Sequence, residues 1–200
     1  MHRPKMVAGL TIMFPAMILL GCSDHRSPTE GSRLTAAGSA VHDVAADHAG
    51  AIIARDACDP ASFNAALNDP TACVKPGPVT FEEFLAELTA TRTARTWRFN
   101  PPQVTAPTGA AVLVRNTGGE VHTFTPVKKF GGGFIQFLND LTGNPVAAPE
   151  CLNVPALDFV ASGAQSLIPS AALSAAADAN GIARVECCIH PWMRTEIRTK

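Results

Sequence analysis

Near its C-terminus the chain places a thiol, an imidazole and a thioether within seven residues. They lie in the run Glu186-Cys187-Cys188-Ile189-His190-Pro191-Trp192-Met193-Arg194. Soft sulfur ligands select copper(I), and imidazole suits copper in either oxidation state. Two His, one Cys and a weakly held axial Met form a ligand set through which copper passes single electrons. The run supplies all of that set except one histidine, and it offers two thiols for one position. The elements upstream have to provide the second imidazole and a scaffold that holds it.

Composition sets the bounds for that scaffold. Two hundred residues suffice for one domain with a real core plus appendages. Hydrophobic residues make up 46% and charged ones only 16%, which is not the composition of a disordered chain. The 16 basic residues balance 17 acidic ones and form no basic tract of the kind that binds nucleic acid. Six cysteines in so short a chain suggest an oxidising compartment, which requires an export signal.

The N-terminus offers one. His2, Arg3 and Lys5 form a short positive region before Met6–Leu20, an apolar run too short to favour a membrane-spanning helix. It ends in Leu19-Leu20-Gly21-Cys22, which resembles a bacterial lipobox, where the Cys is lipidated and becomes the mature N-terminus. The alternatives are an uncleaved anchor helix and a plain secretory signal. The expectation is a signal peptide over 1–21 and a chain held on a bacterial membrane through Cys22, on its periplasmic or cell-surface side. Residues 22–57, rich in Ala, Gly, Ser and Asp, read as a flexible linker with a reach of about 30–35 Å.

Order is expected from Cys58. Cys73 follows 15 positions later, and a local disulfide there would be a staple of roughly 3 kcal/mol. Thr80 and Glu83 form a capping box, with Val79 and Phe84 as a hydrophobic staple. Phe81, Phe84, Leu85 and Leu88 then make one apolar helical stripe. Residues 58–95 therefore read as a stapled helical preface, with 96–200 as the main domain.

From Trp97 short β segments alternate with Pro, Gly and Asn. Ala111–Val114 reads as a buried strand ending at the turn Asn116-Thr117-Gly118-Gly119. In Glu120–Thr125, alternation puts His122 on the face of Phe124, which draws it inward, and Thr123 on the other. Residues 128–161 are hard to read: glycines surround Phe134–Leu138, which suits strand or helix, and Cys151 follows. Ala171–Ala177 suits a loop or a single helical turn. Asn180-Gly181 turns into Ile182–Cys187, where Ala183, Val185 and Cys187 share one face and Arg184, Glu186 and Cys188 the other. The inward thiol is then Cys187. Short strands at this spacing suggest a sandwich or barrel.

Beyond residue 57 the chain has two histidines, His122 and His190, and one methionine, Met193. With the run Cys187-x-x-His190-Pro191-Trp192-Met193-Arg194, the sequence resembles the cupredoxins, nearest the amicyanin and plastocyanin branch, over roughly Trp97 to Lys200. The resemblance implies a mainly β fold, a cupredoxin-like Greek-key β-sandwich with a short N-terminal helical extension. It implies one type 1 copper held by His122, Cys187 and His190 with Met193 as weak axial ligand. It also implies an exposed loop at His190 whose rim, Pro191 and Trp192, docks a redox partner protein. Pairing Cys58 with Cys73 and Cys151 with Cys188 would then use the remaining cysteines. The chain departs from the family in Thr123, where Asn is common, in Val185, where an aromatic is common, in Cys188, and in the long stretch between His122 and Cys187.

The implied function is a membrane-tethered single-electron carrier with no enzymatic activity. The alternatives are an extracytoplasmic copper carrier or sensor and a metal-free interaction module of the same fold. If Cys187 and Cys188 were both in structural disulfides, no copper ligand set would remain.

Overall fold

The computed structural model describes residues 49–200. Cys22, the expected signal peptide and most of the expected linker lie outside them.

Two four-stranded sheets carry the fold. The first contains β1 (Ala49–Arg55), β2 (Arg98–Asn100), β4 (Val112–Asn116) and β8 (Gln165–Ile168), in the order β2-β1-β4-β8. The second contains β3 (Gln103–Ala106), β6 (Thr125–Val127), β9 (Ile182–Glu186) and β10 (Arg194–Thr199), in the order β3-β10-β9-β6. Each sheet has one parallel pair, β1 with β4 and β3 with β10, and is otherwise antiparallel. Pro101-Pro102 separates β2 from β3, so the chain leaves the first sheet and enters the second where the prolines leave no N–H for a ladder. A two-stranded ribbon pairs β5 (His122–Thr123) with β7 (Phe159–Val160).

Strand alternation builds the core. Ile52, Ala54, Phe99, Val112, Val114 and Ile168 from the first sheet and Val104, Ala106, Ala183, Val185 and Ile197 from the second belong to one buried cluster. The molecule is a β-sandwich, one of the two architectures that the strand spacing suggests and the one that the resemblance implies. Phe99 and Phe124 stack across it with centroids 4.7 Å apart.

The linker expected over 22–57 is corrected at its C-terminal end. Residues 49–55 form β1, a central strand with neighbours on both sides. Its Ala and Gly content looks like linker, but Ile52 and Ala54 alternate into the core. The partner that makes it a strand, β4, is remote in sequence and leaves no local signal.

The preface contains α1 (Pro60–Leu67) and α2 (Phe81–Thr91). The side chain of Asp59 caps α1 by accepting from Ser62 N–H. The Thr80–Glu83 capping box opens α2, and the predicted stripe buries Phe84 and Leu88. Cys58 and Cys73 are joined by a disulfide. Phe63, Phe84, Leu88 and Trp97 share the sandwich's own cluster, so the preface completes the main core.

A second, smaller cluster covers the other face of β9: Val127, Ala148, Cys151 and Cys188, with Phe130 and Val154 against it. Cys151 and Cys188 are disulfide-bonded there. Glu186 and Cys188 do share the face opposite Cys187, but the segment following β6 roofs that face, and both are fully buried. Within that segment Gln136–Leu138 opens a helix, α3 (Gln136–Thr142), with Ile135 as its extended N-cap and Phe134 before it. The Ala-rich stretch forms α4 (Ser170–Ala176).

Candidate metal centre

Three elements converge at one end of the sandwich: β5, the loop from β9 to β10, and the turn after β4. Asn116 shapes the turn, donating through Nδ2 to the carbonyls of Glu120 at 2.7 Å and Val160 at 2.9 Å while its Oδ1 accepts from Gly118 N–H at 2.9 Å. The glycines there are required by close approach. A Cβ on Gly118 would lie 1.8 Å from the Asp56 carboxylate, and one on Gly119 2.6 Å from Cys58 Sγ. The turn delivers His122 into β5, where pairing with Val160 holds its backbone.

The loop from β9 to β10 closes on itself. Cys187 N–H donates to the Met193 carbonyl at 3.0 Å and Met193 N–H to the His190 carbonyl at 2.9 Å. Cys187, His190 and Met193 are all buried, at 0%, 3% and 0% exposure. Nδ1 of His122 and Nδ1 of His190 each lie 3.7 Å from Cys187 Sγ. Their donor atoms fall within 4.8 Å of one another, a grouping that could hold a metal ion. Cys187 is the free cysteine among the described residues.

Thr123 is predicted on the outward face and is instead fully buried. Phe159, its partner across the β5–β7 ribbon, stays exposed, but Thr123 is covered by the cysteine loop, on which it uses its polar groups. Its N–H donates to Cys187 Sγ at 3.4 Å, and its Oγ1 accepts from Cys188 N–H at 2.7 Å.

Behind each imidazole stands a buried carboxylate. Nε2 of His122 is 2.8 Å from Asp56 Oδ2, and Nε2 of His190 is 3.7 Å from Glu120 Oε2. Trp97 Nε1–H donates to the same Glu120 oxygen. Asp56 sits one residue past β1, inside the stretch read as linker, which hid it. Glu120 did carry a signal: alternation over residues 120, 122 and 124 places it on the face of His122 and Phe124.

The electrostatics follow from these contacts. Burial alone would raise the Cys187 thiol, but the hydrogen bonds and positive charge of His122 and His190 bring it well below its ordinary value. Burial likewise opposes a charge on His122, and the contacts with Asp56 and Cys187 overcome it, raising the imidazole to about 10. Asp56 is depressed: burial would raise it, but His122 and the N–H groups of Gly119 and Glu120 outweigh that. Glu120 is pushed up by burial, with His190 and Trp97 opposing. Without metal, then, a thiolate is flanked by nitrogen donors in a dry site.

The loop at His190, expected to stand exposed with Pro191 and Trp192 as its rim, is largely covered. Pro191 is buried and Trp192 partly so. The Trp192 ring lies 5.9 Å from that of Phe84 on α2, and its Nε1–H donates to the Ala94 carbonyl at 3.3 Å. Phe84 also meets the His190 ring edge-on at 6.4 Å. The preface covers this edge, and no local pattern around residues 190–192 carries the position of a helix a hundred residues earlier.

No family model and no curated protein matches the chain. Among solved structures, it is similar to a purple cupredoxin from Nitrosopumilus maritimus, at 14% identity over 54% of this chain and 86% of that one, with a TM-score of 0.35. It is also similar to a fern plastocyanin (16%, covering 52% and 89%, TM-score 0.32) and to auracyanin from Roseiflexus castenholzii (19%, covering 52% and 87%, TM-score 0.28).

Proposed function

We propose that the chain is a copper protein carrying single electrons, with His122, Cys187 and His190 as the principal ligands and Met193 as a weak axial one. The observation that carries this reading is the pair of imidazole Nδ1 atoms, each 3.7 Å from one buried free thiol. One thiolate, two imidazoles and a thioether suit copper better than zinc, whose structural sites take further Cys or His ligands. Bound copper would supply a one-electron couple. The protein's part is to hold the thiolate deprotonated, aim both imidazoles and exclude water.

Burial of all four candidate donors supports an electron carrier over a copper carrier or sensor, since electrons cross a protein shell and a metal handed to a partner must leave it. Burial likewise supports a role other than an enzyme's, because among the described residues all four candidate donors are covered. Two disulfides in the described residues support export, and the Leu19–Cys22 motif supports attachment to a bacterial membrane through lipidated Cys22. A redox partner protein would exchange electrons with the anchored domain.

Addition of copper(II) to the metal-free protein should give an intense blue thiolate-to-copper absorption, lost in Cys187→Ser and in His122→Ala. A colourless product, or colour that persists without His122, refutes the ligand set. Labelled palmitate should be incorporated in a bacterial host by the wild type and not by Cys22→Ser; equal labelling of both refutes the anchor.

A further inference from the structure

Asp56 occupies a position from which it governs how His122 meets a metal. Its carboxylate is fixed on several sides. Oδ1 accepts from Gly119 N–H at 2.8 Å and from Cys58 N–H at 3.4 Å, and Oδ2 from Glu120 N–H at 3.2 Å. The remaining contact of Oδ2 is His122 Nε2, at 2.8 Å, with both side chains 1% exposed or less. A carboxylate held this way fixes the ring plane and keeps the Nε2 proton in place, so that Nδ1 is the nitrogen presented to Cys187. The proton it holds also makes the imidazole a stronger donor. Its negative charge, buried one ring away from the donor nitrogen, is little screened by solvent or salt.

We propose, resting on the copper reading above, that Asp56 is a positioning residue that biases the centre toward the more highly charged oxidation state of its metal. Glu120 is the corresponding group behind His190, and Trp97 fixes it there through the indole N–H. Its oxygen stands 3.7 Å from His190 Nε2 rather than in close contact, so its influence is the smaller of the two. Both groups are brought to the site by one device, the Gly118-Gly119 approach of the turn onto the residue that follows β1.

The test uses copper-loaded wild type, Asp56→Asn and Glu120→Gln, and reads the reduction potential with the copper(II) and copper(I) affinities. Loss of such an outer partner weakens metal binding about 10–100-fold. For Asp56→Asn that loss is expected on copper(II) and a smaller one on copper(I). Each tenfold difference between the two losses appears as a rise of 59 mV in potential. Glu120→Gln is expected to shift the potential in the same direction by less. A blue, folded Asp56→Asn protein with the potential of the wild type overturns the proposal, while a wild type that never turns blue overturns the copper reading instead. If Asp56→Asn does not fold, metal-free wild type carries the test through the His122 Nε2 proton. A slowly exchanging proton resonance that is absent from His122→Gln supports the Asp56 contact, and its absence from the wild type overturns it.

Discussion

Glu186→Gln offers a quantitative test of the roof over β9. Glu186 ends that strand with its side chain fully buried, 3.2 Å from Gly131 N–H and 3.5 Å from Arg194 Nε. Burial pushes its carboxyl up, Gly131 and Arg194 pull it down, and the neighbouring Cys187 and Glu150 push it up again, to about 7 against an ordinary 4.5. A carboxyl whose folded pKa exceeds its unfolded one binds its proton more tightly when folded. Its stabilisation is therefore complete below about pH 4.5 and is lost as pH rises through 7. At about 1.4 kcal/mol per unit, the loss is roughly 3 kcal/mol across that window. The amide of Gln keeps an acceptor for Gly131 and does not titrate. Urea unfolding of metal-free wild type and variant, measured at intervals from pH 4.5 to 8, removes on subtraction the contributions of the other acids. Wild type should lose about 3 kcal/mol relative to the variant between pH 4.5 and 7.5. A difference that stays flat, or changes only below pH 4.5, refutes the buried, roofed placement of Glu186.

Two further outcomes test the preface. Phe84→Ala should cost about 3–5 kcal/mol, as a buried Phe truncation does, and should raise acrylamide quenching of tryptophan fluorescence by uncovering Trp192 and Trp97; unchanged quenching counts against the cover. The double variant Cys58→Ser, Cys73→Ser should lose about 3 kcal/mol in non-reducing chemical denaturation, the loop-closure value for a separation of 15 residues.

The parts of the fold legible in the sequence are those with short-range patterns. The Thr80–Glu83 box, the Phe81–Leu88 stripe and the alternation that turns Cys187 inward all hold in the structure. His122 was legible by inventory, since Phe124 drew it inward and few histidines competed with it. What escaped depends on distant segments. β1 becomes a strand through its parallel pairing with β4, and Asp56 reaches the site because β1 ends beside the turn. Trp192 is a rim residue by its own neighbours and becomes a covered one because α2 lies over it. Thr123 and Glu186 show where alternation misleads: period two sorts side chains onto two faces, and at these two positions the outward side is covered as well.

The vicinal cysteines have a consequence for how the protein matures. Cys187 joins the imidazoles in the main core, and Cys188 turns the opposite way into the small cluster with Cys151. To an unfolded chain under oxidising conditions the two thiols are nearly equivalent partners for Cys151, because the loops they close differ by one residue and chain entropy scarcely separates them. Only a formed β9 tells them apart. The order of events then decides the yield: a chain oxidised before that strand is seated forms the wrong crosslink in a large share of molecules, which consumes Cys187 and strands Cys188 away from the histidines. Recovering such molecules requires thiol–disulfide exchange, so under the copper reading proposed above maturation would draw on disulfide isomerisation as well as on metal.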